Sequence, residues 1–179
     1  MAGFNFYIPT RVLFGPGMLN ELATVKLPGR KALIITTAGK SVKKYGYLDR
    51  VIALLKQNND TQCVVFDKVM PNPLLSHVRE AAALCRAEGC DFVIGLGGGS
   101  PIDSAKAIAL AAANEGDYWD YVEGGKKPAG ALPVMPLPLQ RVPVPKPIPG
   151  RLSPTMRAAI KWVLVVMNCS RYCRLWIRS

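Results

Sequence analysis

The chain has 179 residues, half of them hydrophobic, and a formal net charge of +11. This length suits one domain with a sizeable core, and the hydrophobic fraction excludes a disordered chain. No apolar run reaches the roughly 18 residues that a membrane-spanning helix needs, and no signal-like segment opens the sequence. The five cysteines include no C-x-x-C pair. We therefore interpret Cys85 and Cys90 as buried thiols, and a reducing cytoplasm is the favoured location.

Short apolar runs alternate with amphipathic segments as far as Met135. Runs rich in β-branched residues predict buried strands at Lys31–Thr36, Cys63–Phe66, Asp91–Leu96 and Leu132–Met135. Apolar residues at helical spacing predict helices at Tyr47–Gln57, Leu74–Ala87 and Pro101–Ala113. This alternation predicts an α/β fold with a parallel sheet covered by helices on both faces. In such sheets ligands bind beyond the carboxyl ends of the strands.

A glycine-rich turn joins the third predicted strand to the third helix. The strand ends in Gly97–Gly99, and Ser100-Pro101 opens the helix. Glycines let the backbone approach a ligand, and the first N–H groups of a helix lack intrahelical partners, so the turn is suited to a pyrophosphate. We expect Ser100 to cap the helix and Asp103 to lie in its first turn. A ligand-free turn is the alternative, since the spacing differs from G-x-G-x-x-G.

The longer string Gly-Gly-Gly-Ser-Pro-x-Asp-x-Ala-Lys-Ala-x-Ala, from Gly97 to Ala109, resembles the signature of the iron-containing (group III) alcohol dehydrogenases. Further segments resemble that family in order and spacing: Phe6–Gly17, Lys43–Gly46, Phe66–Pro73 and Glu88–Phe92. The resemblance implies a Rossmann-like dinucleotide-binding domain over residues 1–135. It also implies an oxidoreductase that passes a hydride between NAD(P)(H) and an alcohol or aldehyde.

The resemblance further implies which residues bind the dinucleotide. Backbone N–H groups would hold the pyrophosphate at Gly97, Gly98, Gly99 and Ser100, with Asp103 and Asn72 near the cofactor. Asp103 is equally well explained as a helix stabiliser. Asn72 is equally well explained as a turn residue between two prolines.

The loop after the first predicted strand, Thr36–Ser41, bears on the choice of nucleotide. An acid in this loop would hydrogen-bond the ribose 2′-OH and repel a 2′-phosphate. The loop contains no acid, and Lys40, Lys43 and Lys44 lie in or just after it. We therefore favour NADP(H) over NAD(H), with Thr37 and Lys40 as candidate contacts. Lysines that solvate a surface helix are the alternative explanation.

The metal-binding half that the resemblance implies is not visible in this sequence. Family members hold iron, or zinc in some members, with one Asp and three His in a helical C-terminal domain, and the metal polarises the substrate oxygen. His77 is the single histidine of the chain, and it lies before the region that carries those ligands. We expect His77 to be a surface or cap-proximal residue, and we expect no metal site, no catalytic residue and no turnover.

The composition changes after Met135. The last 44 residues hold eight Lys and Arg and no acid, and Pro136–Pro154 contains seven prolines. Because proline breaks helices and central strands, we expect the strand Leu132–Met135 to stay incomplete. We also expect the sheet edge beside it to stay open, because the neighbouring strand of the family is missing. A basic tail for nucleic acid or membrane surfaces is one interpretation, and translation in a shifted reading frame is another.

Back-translation favours the shifted frame. A shifted reading of Pro136–Gly150 permits Leu-Ala-Thr-Thr-Ala-Gly-Thr-Gly-Ser-Glu-Ala-Asp-Pro, which resembles a family motif at the same distance from the glycine-rich turn. We interpret residues 136–179 as frameshift-derived and not as a native domain. The alternatives are a non-catalytic nucleotide-binding or interaction module, and a tail that binds polyanions in a salt-dependent way.

Expected partners follow from the same resemblance. They are a dinucleotide, a small alcohol or aldehyde in the intact family, and a second copy of the chain bound through the N-terminal segment Phe4–Phe14. We expect no specific nucleic-acid partner and no membrane association.

Overall fold

The structure, a computed structural model, describes residues 10–15, 17–70, 74–123, 125–139 and 162–167. Within these ranges the strands are β1 Thr10–Gly15, β2 Lys31–Thr37, β3 Gln62–Val69, β4 Phe92–Gly97, β5 Val134–Pro138 and β6 Trp162–Met167. The helices are a 3₁₀ helix at Met18–Ala23, α1 Lys40–Lys44, α2 Tyr47–Gln57, α3 Leu75–Ala87, α4 Gly99–Ala113 and α5 Tyr118–Val122. None of these helices is long and apolar enough to cross a membrane.

All the described strands belong to one sheet in the order β1-β6-β5-β4-β2-β3. β4 lies between β2 and β5 and is parallel to both, and β2 is parallel to β3. β6 is antiparallel to its two neighbours, β1 and β5. The carboxyl ends of β2, β3, β4 and β5 therefore meet at one edge of the sheet.

Helices cover both faces of the sheet. On one face the 3₁₀ helix, α1 and α2 pack against a cluster that includes Ile34, Phe92 and Met135. On the other face α3 and α4 pack against a cluster that includes Leu33 and Val93. Leu33 and Ile34 are adjacent in the chain and both fully buried, which is typical of a parallel strand covered on both sides. The predicted fold class is confirmed.

β5 corrects one expectation. We expected the prolines after Met135 to stop this strand, but it continues to Pro138 and pairs with β4 over its whole length. In a parallel strand, alternate residues direct their N–H groups to opposite neighbours. The N–H of Leu139 donates to the carbonyl oxygen of Gly97 at 2.8 Å. Pro136 and Pro138 therefore face away from β4, where a missing N–H costs that ladder nothing.

The sheet edge beside β5 also differs from expectation, because β6 occupies it. β6 pairs with β1 from Thr10 opposite Met167 to Gly15 opposite Trp162. β6 pairs with β5 at Val134, opposite Met167, and Val134 comes before the first proline of β5. β6 thus covers the edge next to β5. It pairs with β5 before Pro136 and Pro138, which have no N–H to donate.

Candidate nucleotide-binding site

The candidate site lies where β4 ends and α4 begins. Gly97 is buried as the last residue of β4, whereas Gly98 and Gly99 are exposed. Gly98 precedes the helix in an extended conformation, and Gly99 is its first residue. The first N–H groups of α4 have no intrahelical acceptor, and the dipole of this 15-residue helix favours negative charge at the same end. This combination suits an anion.

Two glycines of the segment allow α4 to lie against β4. A Cβ atom on Gly95 would lie 2.9 Å from the Cα atom of Ile102, and one on Gly97 would lie 2.8 Å from the Cγ atom of Pro101. Gly97 also has a φ of +139°, which L side chains rarely adopt. These glycines therefore serve the packing of the helix on the strand.

The next two glycines leave space for a ligand. A Cβ atom on Gly98 or Gly99 would meet no atom of the described residues within 4 Å. Backbone N–H groups at this turn can therefore be approached closely by a bound phosphate oxygen. The turn fits a pyrophosphate on this observation, and the fit centres on Gly98 and Gly99.

The start of α4 corrects two expectations. Ser100 is the second residue of the helix and so cannot cap it, and Asp103 lies in the second turn, not in the first. The reason is that the helix begins at Gly99, two residues earlier than the proline suggested. The side chain of Asp103 is 59% exposed and accepts a hydrogen bond from Lys106 at 3.0 Å.

The loop after β2 lies at the same edge of the sheet as the glycine-rich turn. Thr37 ends β2 and is partly buried, and β2 is the direct neighbour of β4. The N–H of Ala38 donates to the carbonyl oxygen of Val69 at 3.0 Å, which holds the loop against β3. Lys40 begins α1, but its side chain is outside the described part of the structure. Asn72 lies outside the described residues altogether.

Sequence reasoning missed Asp67. This residue lies on β3, and its carboxylate forms an ion pair with the ammonium of Lys43 in α1. The hydrogen bond from Lys43 lowers the pKa of the Asp67 carboxyl below its ordinary value. The signal in the sequence is that Asp67 and Lys68 are charged residues at the end of an otherwise apolar run, outside the loop after β2.

The buried cysteines and the histidine have no assigned part in the candidate site. Cys85 and Cys90 are both buried, as predicted. Burial raises the pKa of the Cys85 thiol to about 12. His77 is the third residue of α3, and its ring meets that of Phe66 edge-on at a centroid distance of 6.4 Å, so the predicted cap-proximal position is confirmed. Within the described ranges, no three His, Cys, Asp or Glu side chains come together as a metal site.

Comparison with known proteins identifies the family. The family model for iron-containing alcohol dehydrogenase matches residues 9–143. NADH-dependent butanol dehydrogenase A of Clostridium acetobutylicum is 37% identical over 135 residues, covering 75% of this chain and 34% of that protein. NADPH-dependent aldehyde reductase YqhD of Escherichia coli is also 37% identical, over 137 residues, with the same two coverages.

Solved structures agree with these matches. The crystal structure of NADH-dependent butanol dehydrogenase A from Thermotoga maritima superimposes with a TM-score of 0.69 at 38% sequence identity, covering 76% of this chain and 34% of that one. The chain thus spans about a third of the length of the relatives it matches. The family match, the fold and the glycine-rich turn lead to one conclusion: the chain belongs to the iron-containing alcohol dehydrogenase family.

Proposed function

We propose that this chain binds NAD(P)(H) at the Gly98–Gly99 turn and supplies the cofactor half of a dehydrogenase. The reaction of the whole protein would pass a hydride between the nicotinamide and an alcohol or aldehyde. The observation that supports this best is the open space in front of two exposed glycines at the start of α4. Relatives named for butanol and 1,3-propanediol favour small primary alcohols as the substrate class.

Each candidate residue has a proposed part in cofactor binding. The N–H groups of Gly97, Gly98, Gly99 and Ser100 would bind the pyrophosphate, with Asp103 and Asn72 near the nucleotide. Thr37 and Lys40 would lie beside the adenosine ribose, because the carboxyl end of β2 neighbours that of β4.

The absence of an acid from Thr36–Ser41 supports NADP(H) over NAD(H). The relatives named for NADH and for NADPH are both 37% identical to this chain, so a binding measurement must decide.

The residues of this chain do not fit the family's metal. The described residues bring together no set of three metal ligands, and the chain has a single histidine, His77. When bound, such a metal supplies Lewis-acid polarisation of the substrate oxygen. We propose that these 179 residues alone carry no catalytic residue and give no turnover. Incubation with ferrous iron, NADPH and butanal should leave the absorbance at 340 nm unchanged.

The binding experiment uses a variant that keeps the fold. Gly99→Asp adds a carboxylate where the pyrophosphate would lie, yet its Cβ meets open space and an acid suits the first turn of a helix. We expect NADPH and NADH to bind the full chain, and Gly99→Asp to weaken binding at least about tenfold through like-charge repulsion. NAD(P)H fluorescence titration measures both.

Gly130→Asp is the matched control. A Cβ atom at Gly130 also meets open space among the described residues. The carbonyl oxygen of Gly130 accepts a hydrogen bond from Asn114, which follows the last residue of α4, so Gly130 lies near the end of the helix away from the turn. The same charge change there should leave nucleotide binding unchanged. Equal binding by the wild-type chain and Gly99→Asp would refute the proposed site.

We also propose that the native dinucleotide-binding domain comprises residues 1–135 and that residues 136–179 are frameshift-derived, although in this chain β5 continues to Pro138 and β6 joins the same sheet. The change in charge and proline content after Met135 supports this, and the family match ends eight residues further on, at residue 143. A sequencing read of the gene past the Ser179 codon tests it. An open second frame that encodes the Asp and His ligands would support the proposal, and early closure of that frame would refute it.

The remaining proposals concern partners and location. We propose a cytoplasmic protein that dimerises through the N-terminal segment, without specific nucleic-acid or membrane partners. Size-exclusion chromatography with light scattering tests the dimer, and fractionation of the source cells tests the location. The two alternatives, an interaction module and a polyanion-binding tail, gain no support from the comparisons.

A further inference from the structure

Lys43 lies in α1, the short helix that follows β2, and its side chain forms an ion pair. Its ammonium is paired with the carboxylate of Asp67, and the two side chains are 55% and 38% exposed. The pair joins β3 to α1, the helix that begins directly after the loop following β2. An acid therefore lies beside this loop although the loop itself contains none.

The loop is held next to that acid by the backbone. The N–H of Ala38 donates to the carbonyl oxygen of Val69, two residues beyond Asp67 on β3. β3 neighbours β2, and β2 neighbours β4, so Asp67 lies on the far side of the loop from the glycine-rich turn. A ribose 2′-substituent at the end of β2 would meet this paired Lys43 and Asp67.

A paired ammonium attracts a phosphate less than a free one. The carboxylate of Asp67 opposes the field of Lys43, and the hydrogen bond from Lys43 keeps the pKa of Asp67 below its ordinary value, so the carboxylate stays ionised at neutral pH. The count of lysines around the loop thus overstates the positive charge that a 2′-phosphate would meet.

We propose that Asp67 limits the preference of this chain for NADP(H) by holding Lys43. Asp67 is a positioning residue, because it acts on the nucleotide through Lys43. Replacing it with a neutral residue releases Lys43 to the 2′-phosphate and raises the selectivity for NADP(H) over NAD(H). This inference rests on the proposed nucleotide site.

The same strand provides a matched control. Lys68 follows Asp67 and forms an ion pair with Glu80 of α3, on the opposite face of the sheet from α1. Glu80→Gln changes the net charge by the same amount as Asp67→Asn and also releases a lysine. Only Asp67→Asn releases one beside the loop after β2.

The experiment compares the dissociation constants of NADPH and NADH by fluorescence titration of the full chain. We expect Asp67→Asn to tighten NADPH binding about fivefold, the scale of an exposed ion pair, and to leave NADH binding unchanged. Asp67→Glu should keep the wild-type ratio, and Glu80→Gln should also keep it. Adding Lys43→Met to Asp67→Asn should abolish the gain.

Several outcomes would overturn the inference. A change of equal size for both nucleotides in Asp67→Asn would indicate a merely structural role. A shift of the same size in Glu80→Gln would indicate a general charge effect, and a gain that survives Lys43→Met would exclude Lys43. Failure of the wild-type chain to bind either nucleotide would refute the proposed function and this inference together. An unchanged ratio with both nucleotides bound would refute the inference alone.

Discussion

Asp91 and Lys31 join the neighbouring strands β2 and β4 at their amino ends. The N–H of Asp91 donates to the carbonyl oxygen of Lys31 at 3.0 Å, and the N–H of Lys31 donates to Oδ1 of Asp91 at 2.9 Å. Oδ2 of the same carboxylate accepts the N–H of Arg30 at 2.8 Å. The Asp91 carboxylate thus accepts two backbone N–H groups where the chain enters β2, at the edge of the sheet opposite the candidate site.

Replacing Asp91 with alanine should destabilise the chain without affecting nucleotide binding. Asp91→Ala leaves the N–H groups of Arg30 and Lys31 without their carboxylate, and we expect the free energy of unfolding to fall by about 1–2 kcal/mol. Urea denaturation measures this. Glu115→Gln, at an exposed carboxylate elsewhere, should change it little, and equal stability of Asp91→Ala and wild type would contradict the role assigned to Asp91.

Gly29 should be sensitive to any added side chain because of the same carboxylate. A Cβ on Gly29 would lie 2.2 Å from Oδ1 of Asp91. We expect Gly29→Ala to lower the free energy of unfolding by about 1–3 kcal/mol. In the Asp91→Ala background the same substitution should cost much less, since the colliding group is gone. A double-mutant cycle from urea denaturation gives the coupling, and strictly additive effects would contradict it.

Alanine at Gly95 should lower the free energy of unfolding, whereas alanine at Gly98 should leave it nearly unchanged. At Gly95 the added Cβ meets the backbone of Ile102 at 2.9 Å, so helix and strand must move apart, and we expect a loss of about 2–3 kcal/mol. At Gly98 the added Cβ meets open space, so stability should be nearly unchanged. Thermal unfolding followed by circular dichroism compares them. Similar losses at both positions would contradict the close approach of α4.

Stability should fall at alkaline pH because of the buried thiols. Burial raises the pKa of Cys85 from 9.0 to about 12 and that of Cys63 to about 11. Between pH 9 and these values the unfolded chain loses protons that the folded chain keeps, so the free energy of unfolding decreases as pH rises. Each thiol contributes a slope of at most about 1.4 kcal/mol per pH unit.

Cys85→Ala isolates one of these contributions. The variant should lose stability less steeply than wild type between pH 9 and pH 11, and the two should have parallel profiles below pH 8. Urea denaturation at successive pH values provides the comparison. Identical slopes above pH 9 would show that Cys85 titrates normally in the folded chain.

Much of the fold could be predicted from the sequence because apolar spacing is strong in its central part. The predicted helix Tyr47–Gln57 has the observed bounds, and the strand predicted at Lys31–Thr36 extends by one residue. The short elements α1 and α5, each of five residues, were too brief for periodicity to reveal. β5 extends further than the sequence predicts because Pro136 and Pro138 lack an N–H only on the side that faces away from β4.

The site was predicted less completely than the fold. The glycine-rich turn can be predicted from local sequence. The run Gly97–Ser100 does not by itself show which glycine is needed for α4 to pack against β4. That distinction needs Ile102 and Pro101, which approach from the next turn of the chain. Asp67 was missed because its relation to the loop after β2 arises from strand order, which the spacing of residues along the chain does not specify.

The alternation of Pro136 and Pro138 makes β5 a strand with two unlike sides. The side toward β4 keeps its donors, as the hydrogen bond from Leu139 to Gly97 illustrates, whereas the other side loses them at both prolines. The parallel strands β3, β2, β4 and β5 therefore form a unit whose hydrogen bonding does not depend on β6. A chain ended after Leu139 would retain the edge of the sheet on which α4 begins, with the glycine-rich turn in place.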